Sequence, residues 1–314
     1  MHREVFRWIV GFALIGLLTF ISSSDVLAEP SNQGPEICQN CHRSEVSVWE
    51  GSKHFKSMKK VHRSDKAKKI VAAIGEKRMK RSETCTMCHY TMVAKGAKTK
   101  AVAGPSCESC HGPSSDWFAG HNDYGKGAKR DTESAEHKAE RIRRAAEAGM
   151  IWPSAAFDVA VNCFECHGMA RDGLSEDTIN KMLDAGHPIS PDYELVRYSQ
   201  GSVRHRFYPP DMTKNAEMTP PEMARLFITG HAASLVSATR AFSLSNHPKY
   251  VAAQEARIGA ARAALESIQS SVPEAGTLLQ DPSEASARAL VAAINGKDLS
   301  GSVGSMLPPS DSYK

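Results

Sequence analysis

The chain opens with a short basic start, Met1-His2-Arg3-Glu4-Val5-Phe6-Arg7, followed by a mostly apolar run over residues 8–21. Periodic apolar spacing returns in the last third of the chain. Thr219-Pro220-Pro221-Glu222 reads as a helix start, with proline tolerated in the first turn. The helix it opens runs to about Arg240 and contains His231. Asn246-His247-Pro248 breaks the pattern, and residues 250–270 are alanine-rich with Val251, Ile258, Ala261 and Leu265 at helical spacing. A further short helix is expected over 283–294, stopping near Asn295-Gly296, and the Gly/Ser/Pro-rich residues 297–314 read as a disordered tail. The parts expected are therefore a signal peptide (1–28), a cysteine-bearing domain (29–214), a helical C-terminal extension (215–296) and the tail.

The apolar run continues through Ser22-Ser23-Ser24-Asp25-Val26-Leu27-Ala28, and basic start, apolar stretch and small residue together read as an export signal. The run falls short of the roughly 20 residues that span a bilayer; an uncleaved membrane anchor is the alternative. A mature chain starting near Glu29 works outside the cytoplasm, in the periplasm or its equivalent, where thiols oxidise unless something occupies them.

What occupies them is written in the cysteine spacing. All eight cysteines fall in four copies of one pattern: Cys38-Gln39-Asn40-Cys41-His42, Cys85-Thr86-Met87-Cys88-His89, Cys107-Glu108-Ser109-Cys110-His111 and Cys163-Phe164-Glu165-Cys166-His167. Zinc sites use paired cysteines but do not call for a histidine after each second one. Thioredoxin-like pairs occur singly within α/β folds, and disulfides across so short a loop would staple almost nothing distant. Cys-x-x-Cys-His is the signature of c-type haem attachment. Two thiols add to the haem vinyl groups, and the next imidazole binds iron. The reading is four covalently bound haem c groups, with His42, His89, His111 and His167 as proximal ligands. Haem faces are apolar and substitute for aliphatic core, so the expected fold is mainly α, with little sheet, long loops and closely packed haems.

Residues 53–81 hold twelve lysines and arginines against Asp65 and Glu76 alone. This is either a solvated helical face or a docking surface for an acidic redox partner, whose encounter a one-signed patch accelerates. Nucleic acid is a poor partner for an exported haem protein. The formal charge of +4 omits haem propionates and therefore does not give the net charge of the loaded protein.

With these motifs the chain resembles the tetrahaem cytochrome c-554 family known from ammonia-oxidising bacteria. The resemblance rests on the first motif with Trp49 and His54, the second motif with Tyr90, and Gly104-Pro105-Ser106-Cys107-Glu108-Ser109-Cys110-His111-Gly112-Pro113 followed by His121, over roughly residues 35–170. It implies a soluble periplasmic electron carrier with stacked haem pairs, with His54 and His121 as distal ligands to haems other than their nearest neighbours. It also implies that the second-motif haem lacks a protein sixth ligand, and that a distal histidine stands just ahead of the fourth motif. Residues 155–162 contain no histidine. The candidates to replace it are His187, His205 and His231, and His205, among aromatic and proline neighbours, is the expected choice. His62, His137 and His247 read as surface residues.

Two functions of different class follow. One is electron transfer between redox proteins, without catalysis. The other is a haem enzyme acting on nitric oxide or hydroxylamine at one five-coordinate iron, flanked by Arg81, Glu83 and Tyr90. Axial ligation separates them, because an enzyme needs a vacant iron position.

Overall fold

The computed structural model describes residues 29–314, so the export segment expected over 1–28 lies outside the described residues. The fold is mainly helical, and the one sheet among the described residues is an antiparallel hairpin of Thr91–Lys95 with Lys98–Ala103. The hairpin fills the space between the second and third motifs. Because its ends pair, Thr91 with Ala103, it returns the chain to where it left the second motif. There Thr91 Oγ1 donates to Gly104 O at 3.0 Å.

Each motif is carried by a short helix: Pro35–Gln39 leading into the first, then Glu83–His89, Cys107–His111 and Ala156–His167. Residues three and four apart share a helix face, so helical winding turns both cysteines and the histidine of a motif the same way. In the third motif Ser106 and Ser109 form a reciprocal capping box that fixes the start of the five-residue helix.

The helix Pro220–Ala241 starts as its sequence announces, with Thr219 N donating to Glu222 Oε2 at 2.8 Å. It is buried on most sides by small and apolar residues, including Ala224, Ile228, Ala232, Ala233, Leu235 and Ala238. It packs against both the fourth-motif helix and the helix Pro248–Glu266. Phe157, Ala160 and Phe164 thus share one core with Leu265, Ile268, Leu278 and Leu290. This corrects the boundary expected at 214/215: the extension and the fourth motif are halves of one core.

The tail is corrected as well. Residues 297–314 are not disordered but contain the helix Ser300–Val303 and two short 3-10 turns, with Leu299 and Val303 buried in the shared core. Ser202 N donates to Lys314 O at 2.8 Å, which brings this segment beside the loop that carries His205. The Gly, Ser and Pro content masked a few well-spaced apolar anchors. The helix Pro273–Gln280 was not expected from the sequence either. No helix among the described residues is long and apolar enough to cross a membrane.

Candidate haem-binding sites

Each motif histidine faces one other imidazole. The ring-centroid separations are 6.4 Å for His42 and His121, and 6.1 Å for His54 with His167, His89 with His187, and His111 with His205. Two metal–nitrogen bonds of about 2 Å each plus the distance from each ring centre to its nitrogen come to about 6 Å. Among the described residues no group of three or more His, Cys, Asp or Glu is gathered as a bare metal ion would need. Two imidazoles are the number that a porphyrin iron leaves open, and all eight cysteines are free thiols. The residues present therefore fit haem c.

The proton positions fit too. His111 Nδ1 donates to Ile151 O at 2.8 Å, His121 Nδ1 to Phe118 O at 2.6 Å, His187 Nδ1 to Pro188 O at 2.9 Å and His205 Nδ1 to Val203 O at 2.6 Å. A carbonyl can only accept, so each ring carries its proton on Nδ1 and keeps the Nε2 lone pair for a metal. Burial lowers the pKa of His54, His111, His121 and His187, and draws His89 and His167 down to about 4. At neutral pH these rings are uncharged donors.

The facing residues are held by different devices. His54 lies in the first turn of the helix Lys53–Lys60, whose start is capped by Ser52. Its carbonyl packs where a side chain on Gly104 would stand, with a Cβ only 2.1 Å from His54 O, so the chain entering the third motif must be glycine there. His121 is braced by Trp117, centroid 5.3 Å away, and by Arg141, whose Nη1 donates to His121 O at 2.6 Å while Glu133 holds the guanidinium. His187 sits in a turn that follows the helix Glu176–Asp184, closed by His187 N donating to Met182 O at 2.8 Å. His205 is on a loop pinned by Asn215, which accepts from Arg206 N at 2.9 Å. On the fourth motif, Tyr193 stacks on His167 at 4.4 Å and Tyr198 stacks on Tyr193 at 4.6 Å.

Two sequence expectations are corrected by this geometry. His205 faces His111 of the third motif, not His167 of the fourth; the partner of His167 is His54, brought across by the Gly104 contact. The second motif, expected to lack an opposing residue, has His187 across from His89. His231 faces no motif histidine: its half-buried ring lies 4.3 Å from that of Phe227 on the helix Pro220–Ala241. Tyr90 is buried with its hydroxyl toward Met79 Sδ at 3.5 Å, and burial pushes its pKa up to about 12.

The thiols give the order of the sites. Cys38 and Cys107 meet side chain to side chain, as do Cys88 and Cys166, and Cys110 lies within the field of Cys163 and Cys166. The first site therefore adjoins the third, the third the fourth, and the fourth the second. Sequence reasoning also passed over Glu108, buried inside the third motif. Its carboxylate accepts from Gln33 N and Gly34 N, both at 2.8 Å, and from Ser114 N at 3.1 Å.

Comparison with known proteins agrees with this chemistry. Residues 37–112, which hold the first three motifs, match the family described as cytochrome c554 and c-prime. Cytochrome c-554 of Nitrosomonas europaea is 25% identical over 136 residues, covering 41% of this chain and 58% of that protein. The chain thus matches less than two thirds of that relative's length. No solved structure matches the chain. Motif, paired imidazoles and family match converge on one conclusion: the chain is a c-type cytochrome, similar over residues 37–112 to the cytochrome c554 family.

Proposed function

We propose that the protein is an exported tetrahaem electron carrier in which two histidines hold every iron. Haem c, when bound, supplies reversible one-electron chemistry at its iron. Cys38 and Cys41 with His42 and His121 would hold the first group; Cys85 and Cys88 with His89 and His187 the second. Cys107 and Cys110 with His111 and His205 would hold the third, and Cys163 and Cys166 with His167 and His54 the fourth. The observation that carries the reading is His187 opposite His89 at 6.1 Å. It fills the position that nitric oxide or hydroxylamine chemistry would require to be vacant, and so favours electron transfer over that enzymatic alternative.

The thiol contacts support a connected path in the order first, third, fourth, second. Exchange with partners is supported by charge: a groove of about 430 Å³ between His62 and Arg81 is lined by Lys68, Lys77, Arg78, Lys80 and Arg81, beside the exposed lysines of the helix Lys53–Lys60. An acidic face on a redox protein is the complementary surface. Export to the periplasm rests on the sequence of residues 1–28.

Electron paramagnetic resonance of the oxidised protein tests the reading. Intact mass should exceed the mature polypeptide by four haem c groups, and all four irons should be low-spin. His187→Ala should turn one of them high-spin and open it to nitric oxide. A high-spin iron in the unsubstituted protein would refute the assignment of His187 and restore the enzymatic alternative.

A further inference from the structure

The helix Pro248–Glu266 turns Tyr250, Gln254 and Arg257, four and three residues apart, toward the carboxyl end of the fourth-motif helix. Tyr250 Oη donates to Met169 O and Gln254 Nε2 to Gly168 O, both at 3.0 Å. Arg257 Nη1 donates to Gln254 Oε1 at 2.7 Å, and the guanidinium lies 4.8 Å from the Phe164 ring centre. Arg257 is only 2% exposed.

A buried cation is costly unless something compensates it. Among the described residues Arg257 has no carboxylate partner. Glu194 lines the same small cavity, but its carboxylate accepts from Val196 N and Arg197 N. What Arg257 faces instead is the carbonyl end of a helix, which carries partial negative charge. A Cβ on Gly168 would stand 2.1 Å from Arg257 Nη1, so the glycine directly after His167 is what lets the cation approach. Burial lowers the Arg257 pKa to about 10, which leaves it charged at neutral pH. Two further cations stand at this site: Arg171, which donates to Cys166 Sγ at 3.2 Å, and Arg240, and they share Glu165, 3.9 Å from Arg171 and 3.3 Å from Arg240.

We propose that Arg257 sets the potential of the fourth site: a fixed cation with no carboxylate partner, behind His167, that makes the iron between His167 and His54 the strongest electron acceptor in the chain. Oxidation adds one positive charge at iron, and a nearby cation in a poorly screened interior opposes it. The first site is the contrast, with Cys41 exposed and the His42 side chain 52% exposed, so that water stabilises its oxidised state. Burial and surrounding charge are established levers on haem potential. The inference rests on the reading of His54 and His167 as an iron-ligand pair.

The test is a redox titration of the haem-loaded full chain followed by paramagnetic resonance, with the fourth signal identified as the one that His54→Ala removes. In the unsubstituted protein that signal should have the highest midpoint. Arg257→Gln should lower it by roughly a tenfold change in the ferrous-to-ferric ratio, about 59 mV for one electron. Arg257→Lys should restore it, and the other three midpoints should stay in place. Four low-spin irons with unchanged midpoints in Arg257→Gln would overturn the inference alone, as would a fourth midpoint that is not the highest, which needs no arginine variant to fold. A His54→Ala variant that keeps every low-spin signal of the unsubstituted protein would instead overturn the ligand assignment beneath it.

Discussion

Glu108 illustrates how one side chain can join two sites. It lies between Cys107 and Cys110, yet it bonds the backbone that leads into the first motif, and so holds the first and third motifs together where Cys38 meets Cys107. Glu108→Ala would leave the N–H groups of Gln33, Gly34 and Ser114 without their acceptor, at about 1–3 kcal/mol for each one that water cannot reach. Denaturant unfolding of the loaded protein should show a loss of about 3 kcal/mol, and Glu108→Gln a smaller one, because an amide oxygen can still accept. An unchanged midpoint for Glu108→Ala would mean that the segment 31–34 is held by something else. The Cys-x-x-Cys-His pattern is legible in the sequence because its relation is local: three and four residues along a helix suffice to align two thiols and an imidazole. Glu108 is not, since an acid between two cysteines looks like an exposed spacer until residues some 75 positions away fold over it.

Among the elements, helices were easier to read than the loops between them. Thr219, Pro220 and Glu222 mark a start that the structure repeats, whereas the partner of each motif histidine depends on where a loop travels. His187 follows a glycine and precedes a proline, a turn signal in plain view, but nothing local says which ring it meets. His54 crosses to the fourth motif only because Gly104 admits its carbonyl. The helix Pro220–Ala241 has a consequence of its own. It leaves His231 half-buried, and desolvation lowers the pKa of that ring from 6.5 to about 4. Between those values the unfolded chain holds a proton that the folded chain refuses. The stability His231 confers is thus complete above pH 6.5 and declines as pH falls toward 4, by an amount on the order of 3 kcal/mol. His231→Gln, which does not titrate, should flatten the fall in melting temperature between pH 7 and 4.5. Parallel profiles for the two proteins would remove His231 as a source of acid sensitivity.

At the scale of the whole molecule, charge and haem order bear on the same exchange. If the cationic groove and the helix beside it receive an acidic partner, the rate of reduction by that partner should fall as salt rises, since screening shortens electrostatic reach to about 8 Å at physiological ionic strength. Reversing the charges of Lys59, Lys60, Lys68 and Lys69 should slow it further at low salt and leave the midpoints alone. A rate indifferent to salt and to these changes would leave the surface a plain solvated face. The four pairs of facing imidazoles carry one more consequence, which is magnetic. Their planes meet at 25° for His42 and His121, 47° for His54 and His167, 69° for His89 and His187, and 90° for His111 and His205. Near-parallel rings split the two iron orbitals that point between them, while crossed rings leave those orbitals almost equal in energy and the spin strongly directional. Irons bound between these four pairs should therefore give four resolvable resonances, with the first the most rhombic and the third the most anisotropic, so that each can be followed by name without labelling any of them.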